Sequence, residues 1–143
     1  MSELESLVRA YVDLFNLDDP ARIHAAAGRV FTRDFTYTDP HVSLRGADAL
    51  VAFVLDARKR LGAARFALHG EIDAHHAQAR FQWSVGHEGA AAPLAIGFDA
   101  ITLAEGKIAS VVGFIDRGAR EAARALVERW IGAWNEGDED ARR

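Results

Sequence analysis

Apolar residues recur near the amino terminus at a helical interval. Leu4, Leu7, Val8, Tyr11, Leu14 and Phe15 follow i, i+3, i+4, i+7 spacing, which gathers them on one face of an amphipathic helix. "NLDDPAR" interrupts the pattern, and Pro20 suits the first turn of a second helix, capped by Asp18 or Asp19 and running to about Phe31. The period then falls to two. In "FTYTDPHVSLRG", residues 35–46, Phe35, Tyr37 and Asp39 share one side of a strand that stops at Asp39-Pro40. After "LRG", Leu50, Val51, Phe53, Val54 and Leu61 restore helical spacing, and Gly62 closes that third helix. The remainder alternates as strands over residues 66–72, 77–87, 94–103 and 108–116, with "HEGAAAP" and "AEGK" as turns. Helices followed by a run of antiparallel strands predict an α+β fold: a cone-shaped, curved, mostly antiparallel sheet wrapped around the N-terminal helices, with a pocket at its mouth.

Two acids interrupt this apolar order. Asp39 shares a face with Phe35 and Tyr37; Asp99 shares one with Gly97, Ile101 and Leu103, while Phe98, Ala100 and Thr102 take the other. An ionised carboxylate buried without a partner costs several kcal/mol, so it takes up a proton or finds donors. Two acids in one apolar cavity can separate in role, one an ionised base and the other a neutral hydrogen-bond donor. Tyr11, on the stripe of the first helix, can bring a phenol to the same place. Plainer readings stand beside this one. Asp before Pro initiates turns, so Asp39 can simply accept backbone N–H groups, and a one-residue change of register would turn Asp99 outward.

Composition narrows the chemistry. At 143 residues the length predicts one domain with a real core, and a net charge of −4 without a basic stripe argues against nucleic acid. No apolar run approaches about 20 residues, so no membrane span is expected. The acidic, helical start "MSELESLVRA" is unlike a secretory signal. The absence of cysteine removes thiolate nucleophiles and zinc–cysteine sites and agrees with a cytoplasmic protein. His75-His76 falls at a strand end and reads as solvated; His41 can line the mouth but reads better as surface. No histidine pair has metal-ligand spacing on a helix, so no metal is expected. Phosphate loops and Gly-x-Ser-x-Gly elbows are also missing.

The segments "LVRAYVDLFNLDDPARI", "FTYTDPHVSLRGADALVAF" and "GFDAITLAEGKIASVVGFID" resemble the nuclear-transport-factor-2-like superfamily, especially its SnoaL-like proteins and ketosteroid isomerases, almost continuously from Leu4 to Asp116. In ketosteroid isomerases the general base is an aspartate before a proline, the place Asp39 holds. Their oxyanion-binding tyrosine lies in a Tyr-Val pair on the first helix, which Tyr11-Val12 resembles. Their protonated aspartate precedes the Gly-Lys hairpin, where Asp99 stands; this is a documented example of a neutral carboxylic acid acting as donor. The resemblance therefore implies proton abstraction beside a carbonyl, with the enolate held by Tyr11 and Asp99. Ala100 after Asp99, together with Trp83 in the sheet, does not support steroid specificity. Gly97 and Gly113 stand where limonene-epoxide-hydrolase-like relatives would want Arg and Asp, and only His87 loosely fits a scytalone-dehydratase-like site.

The function implied is a small-molecule isomerase or cyclase acting on an apolar, carbonyl-bearing ligand. Asp39, Tyr11 and Asp99 are its catalytic candidates, and Tyr37, Phe53, Trp83, Val85 and Phe114 shape the pocket. No cofactor is expected, since the carbonyl is its own electron sink, and the chain is expected to be a homodimer. The alternative is a non-catalytic ligand-binding or assembly module of the same fold. Residues 1–118 form the cone domain. Residues 119–143 read as an extra C-terminal amphipathic helix that repeats the start of the chain: Leu126, Val127, Trp130, Ile131, Trp134 and Asn135 match Leu7, Val8, Tyr11, Val12, Phe15 and Asn16 at a constant offset of 119.

Overall fold

Helix starts coincide with the capping residues of the sequence. The computed structural model describes residues 2–116; the predicted helix and repeat at 119–143 lie outside them. Helix α1 (Glu3–Leu14) follows Ser2, whose hydroxyl accepts the Glu5 N–H at 3.0 Å, satisfying one of the first-turn donors that has no helical partner. Helix α2 (Pro20–Val30) follows Asp19, which accepts the Arg22 N–H at 2.9 Å. It ends one residue before the predicted limit, because Phe31 already belongs to a strand. Helix α3 (Ala47–Leu61) is bounded by Gly46 and Gly62, whose φ of +83° and +60° suit residues without a β-carbon.

Six strands follow: β1 (Phe31–Thr38), β2 (Ser43–Arg45), β3 (Arg65–His75), β4 (Gln78–Gly86), β5 (Ala95–Ala104) and β6 (Lys107–Ile115). They form one sheet in the order β2-β1-β6-β5-β4-β3. Every neighbouring pair is antiparallel except β1 and β6, which run parallel. The parallel pair departs from the expected run of antiparallel strands, because hairpin partners are adjacent in sequence and a parallel partner is not. Strand β2 was not predicted either. Its three residues are too few to carry a period, and it exists because the Asp39-Pro40 turn folds the chain back, setting Thr38 opposite Ser43 and Tyr37 opposite Leu44.

Register breaks occur between Phe31 and Thr36, between His69 and Asp73, and between Thr102 and Leu103. Extra residues of this kind bend a strand and increase its twist, which curves the sheet around the helices. The core between helices and sheet is formed by Val8, Tyr11 and Val12 of α1, Ile23 and Val30 of α2, Leu50 and Val54 of α3, and Phe35, Phe81, Ile101 and Val111 of the sheet, all buried. Asn16, just past α1, fastens the edge strand β3. Its amide nitrogen donates to the Phe66 carbonyl at 2.9 Å and its amide oxygen accepts the Phe66 N–H at 2.7 Å. Helices and β3 are thereby held at a fixed separation on one side of the cone.

Candidate active site

Asp99, on β5, is only 2 % exposed and is the one charged side chain among the described residues that is buried. The alternation of β5 places it inward between Gly97 and Ile101, in the register the sequence pattern predicted. Two donors meet it there. Tyr11 Oη, from the buried face of α1, donates to Oδ2 at 2.6 Å, and Trp83 Nε1, from β4, donates to Oδ1 at 3.1 Å. Burial pushes the Asp99 carboxyl up to about 6; the Tyr11 and Trp83 donors oppose that rise and the nearby Asp39 charge adds to it. Burial likewise raises the Tyr11 phenol well above its ordinary value, with the Asp99 charge second, so the hydroxyl keeps its proton.

Glycines on the two flanking positions make this arrangement possible. Gly97 faces Trp83 across the β4–β5 ladder, and a β-carbon there would overlap the Trp83 ring and the Phe114 carbonyl. The indole therefore lies across residue 97 and its N–H reaches Asp99, two residues along the strand. Gly113 faces Asp99 across the β5–β6 ladder. A β-carbon there would stand 2.7 Å from Asp99 Oδ1 and 3.5 Å from the β-carbon of Asp39. The missing side chain at 113 is thus the gap between the two acids.

Asp39 both closes the turn and borders the interior cavity. Its Oδ1 accepts the backbone N–H groups of His41 and Val42 at 2.7 and 3.0 Å, which is an Asx turn. Its Oδ2 accepts the Tyr37 hydroxyl at 2.8 Å and the residue lines the interior cavity. A carboxylate offers about four lone-pair positions, so Oδ2 keeps one for a ligand. Tyr37 was expected only to shape the pocket; its bond to Asp39 was legible in principle, since residues i and i+2 share a strand face. Burial, then the charges of Asp99 and Asp39, raise its phenol far above the ordinary range, so it too remains a donor.

The cavity has a volume of about 480 Å³ and is lined by Tyr11, Asp39 and Asp99 together with Tyr37, Phe53, Trp83, Val85 and Phe114, a size suited to a small organic molecule. All eight residues picked from the sequence border one space. Phe114 does so while 47 % exposed, its ring stacked on Phe98 at a centroid distance of 5.0 Å. His41 is exposed and also borders the cavity. Phe15 and Phe66 were not singled out, yet both line it, their rings 5.6 Å apart; their helix and strand periods marked them as interior without showing which interior residues meet empty space. Among the described residues no group of three His, Cys, Asp or Glu side chains could hold a metal ion. Nor is any described helix long and apolar enough to cross a membrane.

Comparison with known proteins agrees with this architecture. The SnoaL-like domain family matches residues 8–111. A SnoaL-like family protein from Agrobacterium tumefaciens, provisionally named an isomerase, superposes with a TM-score of 0.74 at 29 % identity, covering 81 % of this chain and 99 % of that one. A provisionally named ketosteroid isomerase from Kribbella flavida gives 0.59 at 16 % identity, covering 79 % of this chain and 77 % of its own. A provisionally named polyketide cyclase from Sinorhizobium meliloti gives 0.57 at 18 % identity, covering 79 % and 99 %; the last two likenesses show the fold. No curated protein matches the chain. With its family match extending from α1 to β6 and its helices enclosed by a curved sheet, the chain belongs to the SnoaL-like family.

Proposed function

We propose that this protein is a cofactor-independent isomerase or cyclase of the cytoplasm that removes a proton next to a carbonyl of an apolar ligand held in the cone. Asp39 Oδ2 takes the proton from carbon, and the C–H electron pair moves through the new C=C bond onto the carbonyl oxygen. Tyr11 stabilises that oxyanion with its hydroxyl hydrogen, and a protonated Asp99 supports Tyr11 from behind. In an isomerisation the proton returns from Asp39 to a different carbon; in a cyclisation the enolate carbon attacks a second carbonyl of the same ligand as its own C=O re-forms, and the attacked oxygen becomes a hydroxyl by taking the proton that Asp39 holds. Tyr37 orients the base through its 2.8 Å bond to Oδ2. Phe53, Trp83 and Val85 supply apolar walls, and Phe114 borders the cavity from its strand while its ring faces outward.

The observation that carries this reading is the buried 2.6 Å bond between Tyr11 and Asp99, in a cavity that Asp39 also lines. A structural pair would be expected to lie in packed core; this one borders space of ligand size. The test is a crystal soak with cyclic enones and phenols, followed by turnover assays of any enone that binds. A carbonyl or phenol oxygen within hydrogen-bond reach of Tyr11, and a carbon acid facing Asp39 Oδ2, are the expected result. Ligands that bind with no oxygen near Tyr11 or Asp99 would instead favour a binding module, the role that Asp39 as a plain turn residue would fit.

The reading also takes the protein as a homodimer. The outer face of β5 and β6 supports this, because Val112 and Phe114 stand 43 % and 47 % exposed beside Phe98, and a second copy would cover them.

A further inference from the structure

Trp83 was expected to be pocket wall, yet its N–H is spent on Asp99 Oδ1 at 3.1 Å while Tyr11 occupies Oδ2. Both carboxyl oxygens therefore already have a protein partner, and the place of the Asp99 proton follows from them. The carbonyl oxygen of a carboxylic acid is a better acceptor than its hydroxyl oxygen. An indole N–H, which can only donate, is accommodated best when Oδ1 is the carbonyl oxygen. The proton then resides on Oδ2, opposite the Tyr11 oxygen, and the hydrogen bond between them reverses: Asp99 donates and Tyr11 accepts. Tyr11 has one hydrogen. With Asp99 ionised that hydrogen points at Oδ2; with Asp99 protonated it is released to the cavity that Tyr11 lines.

We propose that Trp83 is a positioning residue: by holding Asp99 Oδ1 as an acceptor it confines the Asp99 proton to Oδ2, so that Tyr11 alone delivers the hydrogen bond to a ligand oxygen. This rests on the isomerase or cyclase reading for the ligand, but not for the proton. Gly97 is part of the same device, since a side chain at that position would collide with the indole that reaches over it. The groups facing Asp99 are Tyr11 from α1, Trp83 from β4, and Asp39 across Gly113 of β6, with Tyr37 behind Asp39. Of these, Trp83 is the one that cannot change the direction of its bond. At Tyr11 the cavity consequently presents a donor below the Asp99 titration and none above it, which suits an uncharged carbonyl or phenol oxygen.

The test follows both partners by NMR in the ligand-free protein, with ¹³C-labelled aspartate carboxyl and tyrosine Cζ atoms. Wild type is compared with Trp83→Phe and with benzothienylalanine at position 83, a shape-preserving analogue carrying sulfur in place of N–H. In wild type the Tyr11 signal should move with the same midpoint as Asp99. Loss of the indole N–H should raise that midpoint by about one pH unit, the size of one hydrogen bond to a charged acceptor. Phenol affinity in wild type should fall about tenfold per pH unit above the midpoint, and in the sulfur analogue the fall should begin about one pH unit higher. A Tyr11 signal indifferent to the Asp99 titration, or a midpoint unmoved in the folded sulfur analogue, overturns the assignment. If no phenol binds wild type at any pH, the isomerase or cyclase reading fails, and the NMR titration alone decides the role of Trp83.

Discussion

Asp39 and Asp99 approach each other across a residue with no side chain: Gly113 stands opposite Asp99 on β6, and a β-carbon there would meet Asp99 Oδ1 at 2.7 Å and the Asp39 β-carbon at 3.5 Å. Gly113→Ala should therefore intrude on both acids without reaching backbone closer than the Thr38 carbonyl at 3.6 Å. Overpacking of this kind costs about 1–3 kcal/mol. Urea denaturation should show a loss in that range, and phenol binding should weaken because Asp99 is displaced from Tyr11.

Burial holds the Asp99 carboxyl up to about 6, above its ordinary 3.8. Between those values the folded state binds more protons than the unfolded state, so stability is greatest below the unfolded value and declines as pH rises through about 6. At 1.36 kcal/mol per pH unit the difference is on the order of 3 kcal/mol. Asp99→Asn, uncharged at every pH, should flatten this part of the stability–pH curve measured by chemical denaturation from pH 4 to pH 8. An unchanged slope would mean that the carboxylate is hydrated in solution.

Tyr11→Phe removes the hydroxyl that supports the Asp99 charge. Above pH 6 the cost should be about 2 kcal/mol, as for a buried hydrogen bond to an ion, and smaller at pH 4.5. The Asp99 titration should move further upward. If an enone substrate is found, turnover should drop by about 10²–10³, the loss seen when one oxyanion donor is deleted.

Asp39→Asn separates the turn from the chemistry. Asparagine retains a side-chain carbonyl for the His41 and Val42 N–H groups that Oδ1 now accepts, and the Tyr37 hydroxyl can rotate to accept from the new amide. Stability should change by less than about 1 kcal/mol, while proton abstraction should slow by about 10²–10⁴. Deuterium exchange at the acidic carbon of a bound ketone measures that step directly, and unchanged exchange would remove Asp39 from the role of base.

Val112 projects from the outer face of β6 and is 43 % exposed. Val112→Glu should lower the sedimentation mass from dimer to monomer with little effect on phenol affinity, since a charge facing an apolar partner is costly and Val112 does not line the cavity. A wild-type protein that sediments as a monomer would remove the homodimer.

Much of this molecule is legible in its sequence. Apolar spacing located the three helices and five of six strands because each period reports burial directly, and caps such as Asp19 and Gly62 announced their ends. The inward direction of Asp99 followed from the same alternation. Strand β2 and the parallel pairing of β1 with β6 escaped, since three residues carry no period and a distant partner leaves no local mark. The site divided along the same line. Residue types and faces were written in the chain, so Tyr11, Asp39 and Asp99 could be chosen. That Trp83 would donate to Asp99, that Tyr37 would hold Asp39, and that Gly97 and Gly113 would clear space for both depend on register between strands and on the angle of α1 above them. Hydrogen bonds act over about 3 Å, a tolerance finer than any pattern of polar and apolar positions, and only the packed sheet sets distances that closely.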